Sequence, residues 1–162
     1  EELTILVNGN GAVPECSGLD NWSLYPNTTC GGDPIVVTEI YEATCPYASS
    51  ALWGLLAWEA TTPGGSRVTW SGRTATTEEG LAAASWMPLG VAASTPTDTQ
   101  SCPLTSELPG CPVDVTQALW DPGPQRRNQP AFLELRIEVE SSGADLATLH
   151  DWKVTYSCVH DE

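Results

Sequence analysis

The clearest pattern lies in the last third of the chain. Apolar and polar residues alternate through Phe132-Leu-Glu-Leu-Arg-Ile-Glu-Val-Glu140 and again through Trp152-Lys-Val-Thr-Tyr-Ser-Cys158. A period of two sets Leu133, Leu135, Ile137 and Val139 on one face and Glu134, Arg136, Glu138 and Glu140 on the other, as a half-buried antiparallel strand requires. The short polar connection between the two segments predicts a β-hairpin of a sandwich.

The same reading extends upstream. Leu3-Thr-Ile-Leu-Val7 is a short apolar strand followed by Asn8-Gly-Asn-Gly11, a turn in which Gly and Asn accept positive φ. Residues 13–34 are loop-like, rich in Pro, Gly, Asn and Ser, with Trp22 and Tyr25 interleaved. Ile35-Val-Val-Thr-Glu-Ile-Tyr41 and residues 52–60 carry the β-branched and aromatic content of strands. Pro63-Gly-Gly65 turns the chain into Arg67-Val-Thr-Trp-Ser-Gly-Arg73, read as the neighbouring strand with Val68 and Trp70 inward. Thr76 to Ser85 is the one predicted helix, capped by Thr76 or Thr77 with Glu78 and Glu79 in its first turn, lying across one end of the sandwich. Trp86 to Gly90 and a Ser-, Thr- and Pro-rich stretch over residues 92–112 follow, and Val113 to Trp120 supplies one more strand. No internal repeat or domain linker interrupts the chain.

At 162 residues the chain suits one domain, 1–162, able to bury a core of its own. Its six cysteines point to an oxidising compartment. They admit fifteen pairings, which the sequence can only rank by separation. Cys102 with Cys111 and Cys16 with Cys30 flank irregular loops and would close locally, each worth roughly 3 kcal/mol in the chain-entropy model. Cys45 with Cys158 then closes a long loop worth roughly 4–5 kcal/mol. Zinc is disfavoured, because no Cys-x2-Cys pair is present.

Charge narrows the partners. Lys153 is the only lysine, and 21 acidic residues give a formal charge of −15, which repels phosphate backbones and anionic lipid. Nucleic acid and membrane-surface partners are therefore not expected. No run of eighteen apolar residues offers a transmembrane span, and the absence of a basic, apolar leader leads us to expect an exported, extracellular or cell-surface chain with its signal peptide removed.

Four segments together carry a resemblance: Arg67-Val-Thr-Trp-Ser-Gly-Arg-Thr-Ala75, Gly80-Leu-Ala-Ala-Ala-Ser-Trp86, Phe132-Leu-Glu-Leu-Arg-Ile-Glu-Val139 and Leu149-His-Asp-Trp-Lys-Val-Thr-Tyr156. Over roughly residues 51–160 they look like jelly-roll modules appended to secreted bacterial surface proteins. That group resembles the galactose-binding-like sandwiches, in which an arginine-bearing strand pairs with a last strand ending in an aromatic residue. The resemblance implies a jelly-roll-like fold; with the strand alternation, the cysteines and the one predicted helix, the expectation is a disulfide-bonded antiparallel β-sandwich with one short helix. The resemblance also implies a carbohydrate-binding, spacer or surface-assembly role, and it carries no ligand residue onto this chain.

Candidate chemistry is sparse. His150 and His160 are the only histidines. His150 lacks a convergent nucleophile in the sequence, since Asp151 points to the opposite face of an extended segment. No Gly-x-Ser-x-Gly elbow is present. Glu78-Glu79 fits a first helical turn better than a glycosidase pair, whose members come from separate elements. We therefore expect no enzyme, with a hydrolase as a distant alternative. Calcium is the one cofactor the composition admits, through Asp20, Asn21, Asp33, Asp98, Asp114 and Asp121, although none has the spacing of a known calcium loop.

Seven tryptophans split by context. Trp53, Trp70 and Trp152 fall on strands and are assigned to the core. Trp22, Tyr25 and Trp120 sit among Gly, Asn and Pro and form a candidate glycan platform, or anchor their loops. Asn21-Trp-Ser23 and Asn27-Thr-Thr29 fit the N-glycosylation triplet. Leu3, Ile5 and Val7 form a terminal apolar strand, within residues 1–12, that suits donation to a neighbouring subunit or pairing within its own sheet. The expectation is a structural or adhesive subunit of a bacterial surface or filamentous assembly, built from copies of itself or from other subunits, with a carbohydrate-binding module as the alternative.

Overall fold

The computed structural model describes residues 3–7, 34–93, 99–107, 110–119, 130–142, 145 and 147–160. Nine strands are present among them: β1 (Leu3–Val7), β2 (Ile35–Glu42), β3 (Ser49–Thr61), β4 (Arg67–Ala75), β5 (Met87–Ala93), β6 (Thr99–Cys102), β7 (Val113–Asp114), β8 (Phe132–Glu140) and β9 (Thr148–His160). They form two antiparallel sheets, a five-stranded one in the order β1-β9-β3-β6 with β7 also on β3, and a four-stranded one in the order β2-β8-β4-β5. With the two-residue β7 set aside, first pairs with last, second with second-last, and so inward to β3–β6 and β4–β5. That is the pairing of a jelly roll, an antiparallel ribbon folded over to make two facing sheets. The expected disulfide-bonded β-sandwich is thus the observed fold.

The alternating faces work as their sequence dictates. Leu133, Leu135, Ile137 and Val139 of β8 are buried, and with Val68 and Trp70 of β4 they meet Trp53, Leu56, Trp58 and Ala60 of β3 and Leu149, Trp152, Val154 and Tyr156 of β9. Trp58 and Trp70 stack across the two sheets with ring centroids 4.3 Å apart. The assignment of Trp53, Trp70 and Trp152 to the core holds. Two of their indole N–H groups find acceptors, whereas the Trp70 N–H has none among the described residues. Trp152 Nε1 donates to the Tyr41 hydroxyl at 2.8 Å and Trp53 Nε1 to the Pro130 carbonyl at 2.9 Å.

Connections differ from the sequence reading in three places. β8 and β9 are not a hairpin: they lie in opposite sheets, so the chain changes layer after Glu140. β3 and β4 likewise are not neighbours, since Pro63-Gly-Gly65 also crosses between the layers. The two crossings touch. Gly64 sits at φ +57°, and a Cβ there would lie 1.8 Å from Asp145 Oδ2, so glycine is needed for both the turn and the approach. Accordingly the arginine-bearing β4 pairs with β8 and β5, and not with the last strand.

The other departures are local. The helix expected over 76–85 contracts to a 3-10 turn, Glu79–Ala83, with Thr77 Oγ1 accepting from Gly80 N at 3.1 Å. Residues 87–93 form an unexpected strand, with Pro88 and Gly90 tolerated because β5 is an edge. Val113 to Trp120 gives two strand residues and then a helical turn, α1 (Val115–Ala118), because the Asp114 carboxylate accepts from Gln117 N at 2.8 Å and starts a helix there. A β-bulge in β3 around Gly54 is filled by Thr155, whose hydroxyl accepts from Leu55 N at 2.7 Å, and a Cβ on Gly54 would lie 2.4 Å from that oxygen.

Two of the three expected disulfides are within the described residues. Cys45–Cys158 ties the segment leaving β2 to β9 and so joins the two sheets, and Cys102–Cys111 closes the loop after β6. A sequence separation of 113 residues puts the first in the range of roughly 4–5 kcal/mol. Cys16 and Cys30 lie outside the described residues.

The Tyr41 hydroxyl gives the fold a measurable alkaline limit. Burial pushes its pKa up to about 12, partly offset by the hydrogen bond from Trp152. The unfolded phenol titrates near 10, so the folded protein keeps a proton that the unfolded chain loses. That stability is fully present below about pH 10 and is lost as pH rises through about 12, on the order of 2 kcal/mol. Urea unfolding from pH 7 to 12 should show this loss in the native chain. Tyr41→Phe should flatten it, while costing about 1–2 kcal/mol at pH 7 because Trp152 Nε1 loses its acceptor.

Candidate functional site

The outward face of the four-stranded sheet carries ordered rows of charged side chains. Because the inward positions of β8 and β4 are apolar, period two puts every charge of these strands on the outside. The register then lines them up in rows: Ile40, Glu134 and Arg73; Thr38, Arg136 and Ser71; Val36, Glu138, Thr69 and Val91; Glu140, Arg67 and Ala93. Arg73 Nε meets Glu134 Oε2 at 2.6 Å, Arg67 Nε meets Glu140 Oε2 at 2.8 Å, and Arg136 Nη2 meets Glu138 Oε1 at 2.7 Å.

The first row is a site of its own. The β4–β5 connection folds over it, so that Leu81 is buried and Glu134 is only 8% exposed. Arg73 is held on three sides: by Glu134, by the Ala84 carbonyl at 3.4 Å, and by the Trp86 ring, whose centroid lies 4.4 Å from the guanidinium carbon. Ile40, Arg73, Glu78, Glu79, Leu81 and Glu134 line an open hollow of about 350 Å³ there. It has an apolar floor, acidic walls and a guanidinium already committed to a carboxylate. Such a hollow suits the positively charged or hydrogen-bond-donating part of a partner, and it contains no nucleophile paired with a base.

A second exposed feature lies at the end of the sandwich where Cys45 and Cys158 join the sheets. Tyr47 is 99% exposed at the tip of the β2–β3 turn. The turn is closed by Ser49 N donating to the Pro46 carbonyl at 3.1 Å, and Ala48 takes a left-handed φ of 59°, uncommon for a residue with a Cβ. The adjacent disulfide fixes the turn, so the ring is presented on a rigid support.

The residues singled out in the sequence are placed as follows. His150 is exposed, with Nε2 2.7 Å from Thr61 Oγ1, and His160 Nδ1 lies 3.4 Å from Ser49 Oγ. Both histidines thus meet a hydroxyl and not a carboxylate in these hydrogen bonds. Glu78 and Glu79 do enter one site, the hollow, but beside Arg73 and not as a pair across a cleft. Of the calcium candidates, Asp114 is used as a helix cap, and no group of three or more His, Cys, Asp or Glu poised for a metal occurs among the described residues. Asp20, Asn21, Asp33, Asp98, Asp121, Trp22, Tyr25 and Trp120 lie outside the described residues, as do both glycosylation triplets. Leu3, Ile5 and Val7 lie on β1, which pairs with β9 of its own sheet from Leu3 opposite Ser157 to Val7 opposite Lys153. No helix among the described residues is long and apolar enough to cross a membrane.

Arg73, Trp86, Glu134 and Tyr47 had not been singled out as site residues. The alternation had shown that Glu134 faces outward, but only the strand register reveals that Arg73 stands opposite it. No protein-family model, curated protein or solved structure matches this chain.

Arg73 is predicted to matter chiefly because Glu134 is buried beside it. Arg73→Ala should cost about 3 kcal/mol in urea unfolding, the penalty of leaving a buried carboxylate unpaired. Adding Glu134→Gln should recover part of the loss, a coupling that a double-mutant cycle measures.

Proposed function

We propose that this chain is a non-enzymatic structural or adhesive subunit of an extracellular assembly. The observation that carries the reading is the position of β1: a strand of five residues at the edge of its sheet, paired among the described residues only with β9. A strand so placed can be supplied to the same slot by a neighbouring copy with every backbone pair preserved, because the ladder does not register which chain contributes it. The two disulfides suit an oxidising, extracellular setting and keep the rest of the sandwich closed while β1 is exchanged. Export, and a bacterial surface as the site of assembly, remain part of this proposal, as does the resemblance to jelly-roll modules of secreted proteins.

The test is negative-stain microscopy with light scattering on the full chain and on a version lacking residues 1–8. The full chain should form fibres or strand-exchanged oligomers that the truncated one cannot form, and a synthetic peptide of residues 1–8 should cap the growth. If both versions stay monomeric and folded, strand donation is overturned.

A second reading, a carbohydrate-binding module, is favoured by Tyr47, since a fully exposed ring on a rigid turn can stack on a sugar face. It predicts glycan retention that Tyr47→Ala abolishes with the melting temperature unchanged.

A further inference from the structure

The outer face of the four-stranded sheet differs electrically from the rest of the molecule. Across β4 and β8, three arginines (Arg67, Arg73, Arg136) stand against three glutamates (Glu134, Glu138, Glu140), so these two central strands are locally compensated in a chain of formal charge −15, while Glu42 of β2 and Glu78 and Glu79 of the turn leave one end of the face acidic. Three of the four basic residues within the described structure are concentrated here. Its margins are apolar, with Val36 47% and Val91 57% exposed at the two ends of one row. Two copies of so acidic a protein repel over most of their surfaces, and a compensated face with apolar margins is where they can approach.

The rows decide how. They run in the order Glu134–Arg73, then Arg136, then Glu138, then Glu140–Arg67, with the folded-over 3-10 turn standing proud of the first. A two-fold axis along the strands would set the two turns against each other. A two-fold in the plane of the face, across the strands and midway between the Arg136 and Glu138 rows, instead places each turn over the far end of the other copy. That axis lays β8 on β8 with opposite direction. It brings Arg136 of one copy onto Glu138 of the other and the reverse, a closed square of four charges. It also carries the acidic Glu78-Glu79 turn toward the Arg67 end of the second copy. Arg136 and Glu138 are available for this, with side chains 39% and 34% exposed.

We infer that the outer face of the β2-β8-β4-β5 sheet is a two-fold contact between copies of this chain, centred on reciprocal Arg136–Glu138 pairs. This rests on the self-assembly reading above but uses the opposite sheet from the exchanged strand. Four strands about 4.8 Å apart and four rows about 7 Å apart cover a patch at the small end of protein interfaces, so the contact is concentration-dependent.

The experiment is sedimentation equilibrium of the chain lacking residues 1–8, at about 0.15 M salt, where a Debye length of about 8 Å screens the net charge but not pairs in contact. This version removes strand exchange, so any remaining dimer needs another contact. Arg136→Glu sets acid on acid, Glu138→Arg sets base on base, and each should weaken dimerisation by roughly tenfold or more. The two variants mixed should form a heterodimer, and the double variant should dimerise again, because both restore opposite charges across the axis. Circular dichroism confirms that each variant is folded. A chain that stays monomeric into the millimolar range, or a dimer insensitive to both reversals, overturns the inference. Loss of strand-exchanged polymers in the full chain together with a charge-sensitive dimer here would refute strand donation alone.

Discussion

The closure of one ribbon on itself governs everything else in this molecule. The last strand, β9, lies between β1 and β3, so the C-terminal segment completes a sheet begun by the N-terminal one. Such distant pairings are entropically costly and must be held from both sides. Cys45–Cys158 holds one end covalently, and the Tyr41 hydroxyl and Trp152 indole join β2 to β9 across the layers. Between them, Trp58 on Trp70 fills the space that two facing sheets leave. The outer faces take their geometry from this closure, because a shift of one residue in β8 would turn Leu135 out and Glu134 in.

Most of the architecture was legible because strand alternation is a local signal. β8 and the inward set of β4 followed from period two alone, and the disulfide ranking followed from separation. The hairpin reading of β8 and β9 failed for a physical reason: a tight turn within a sheet and a short crossing between two sheets draw on the same polar residues, and only the tertiary partner tells them apart. β5 was missed because Pro88 and Gly90 read as breakers, although an edge strand tolerates both. Asp114 reversed the reading of the segment from Val113, since its carboxylate, capping three residues ahead, starts a turn of helix where β7 would otherwise have continued along β3.

The candidate sites were less legible because they are made by register. Arg73 and Glu134 are 61 positions apart, and their 2.6 Å contact exists only once β4 and β8 are adjacent. Trp86 reaches Arg73 only through the fold-over of the β4–β5 connection. Tyr47 is different in kind. Its exposure reflects a short turn pinned by a neighbouring disulfide, and neither the ring nor the pin is distinctive alone.

The two proposed contacts lie on opposite layers, and that placement has a consequence for form. Reciprocal exchange of β1 closes two copies through the five-stranded sheet, and the Arg136–Glu138 contact closes two copies through the four-stranded sheet. Either alone ends at a dimer, because each is its own complement. Alternating along a chain, two such two-folds do not close unless their axes intersect, and they generate an open, linear polymer. The remaining surface of each subunit keeps the strong negative charge, so neighbouring polymers repel, while the Arg136–Glu138 contact sets opposite charges together. An acidic chain with one compensated face would therefore grow end to end without bundling sideways.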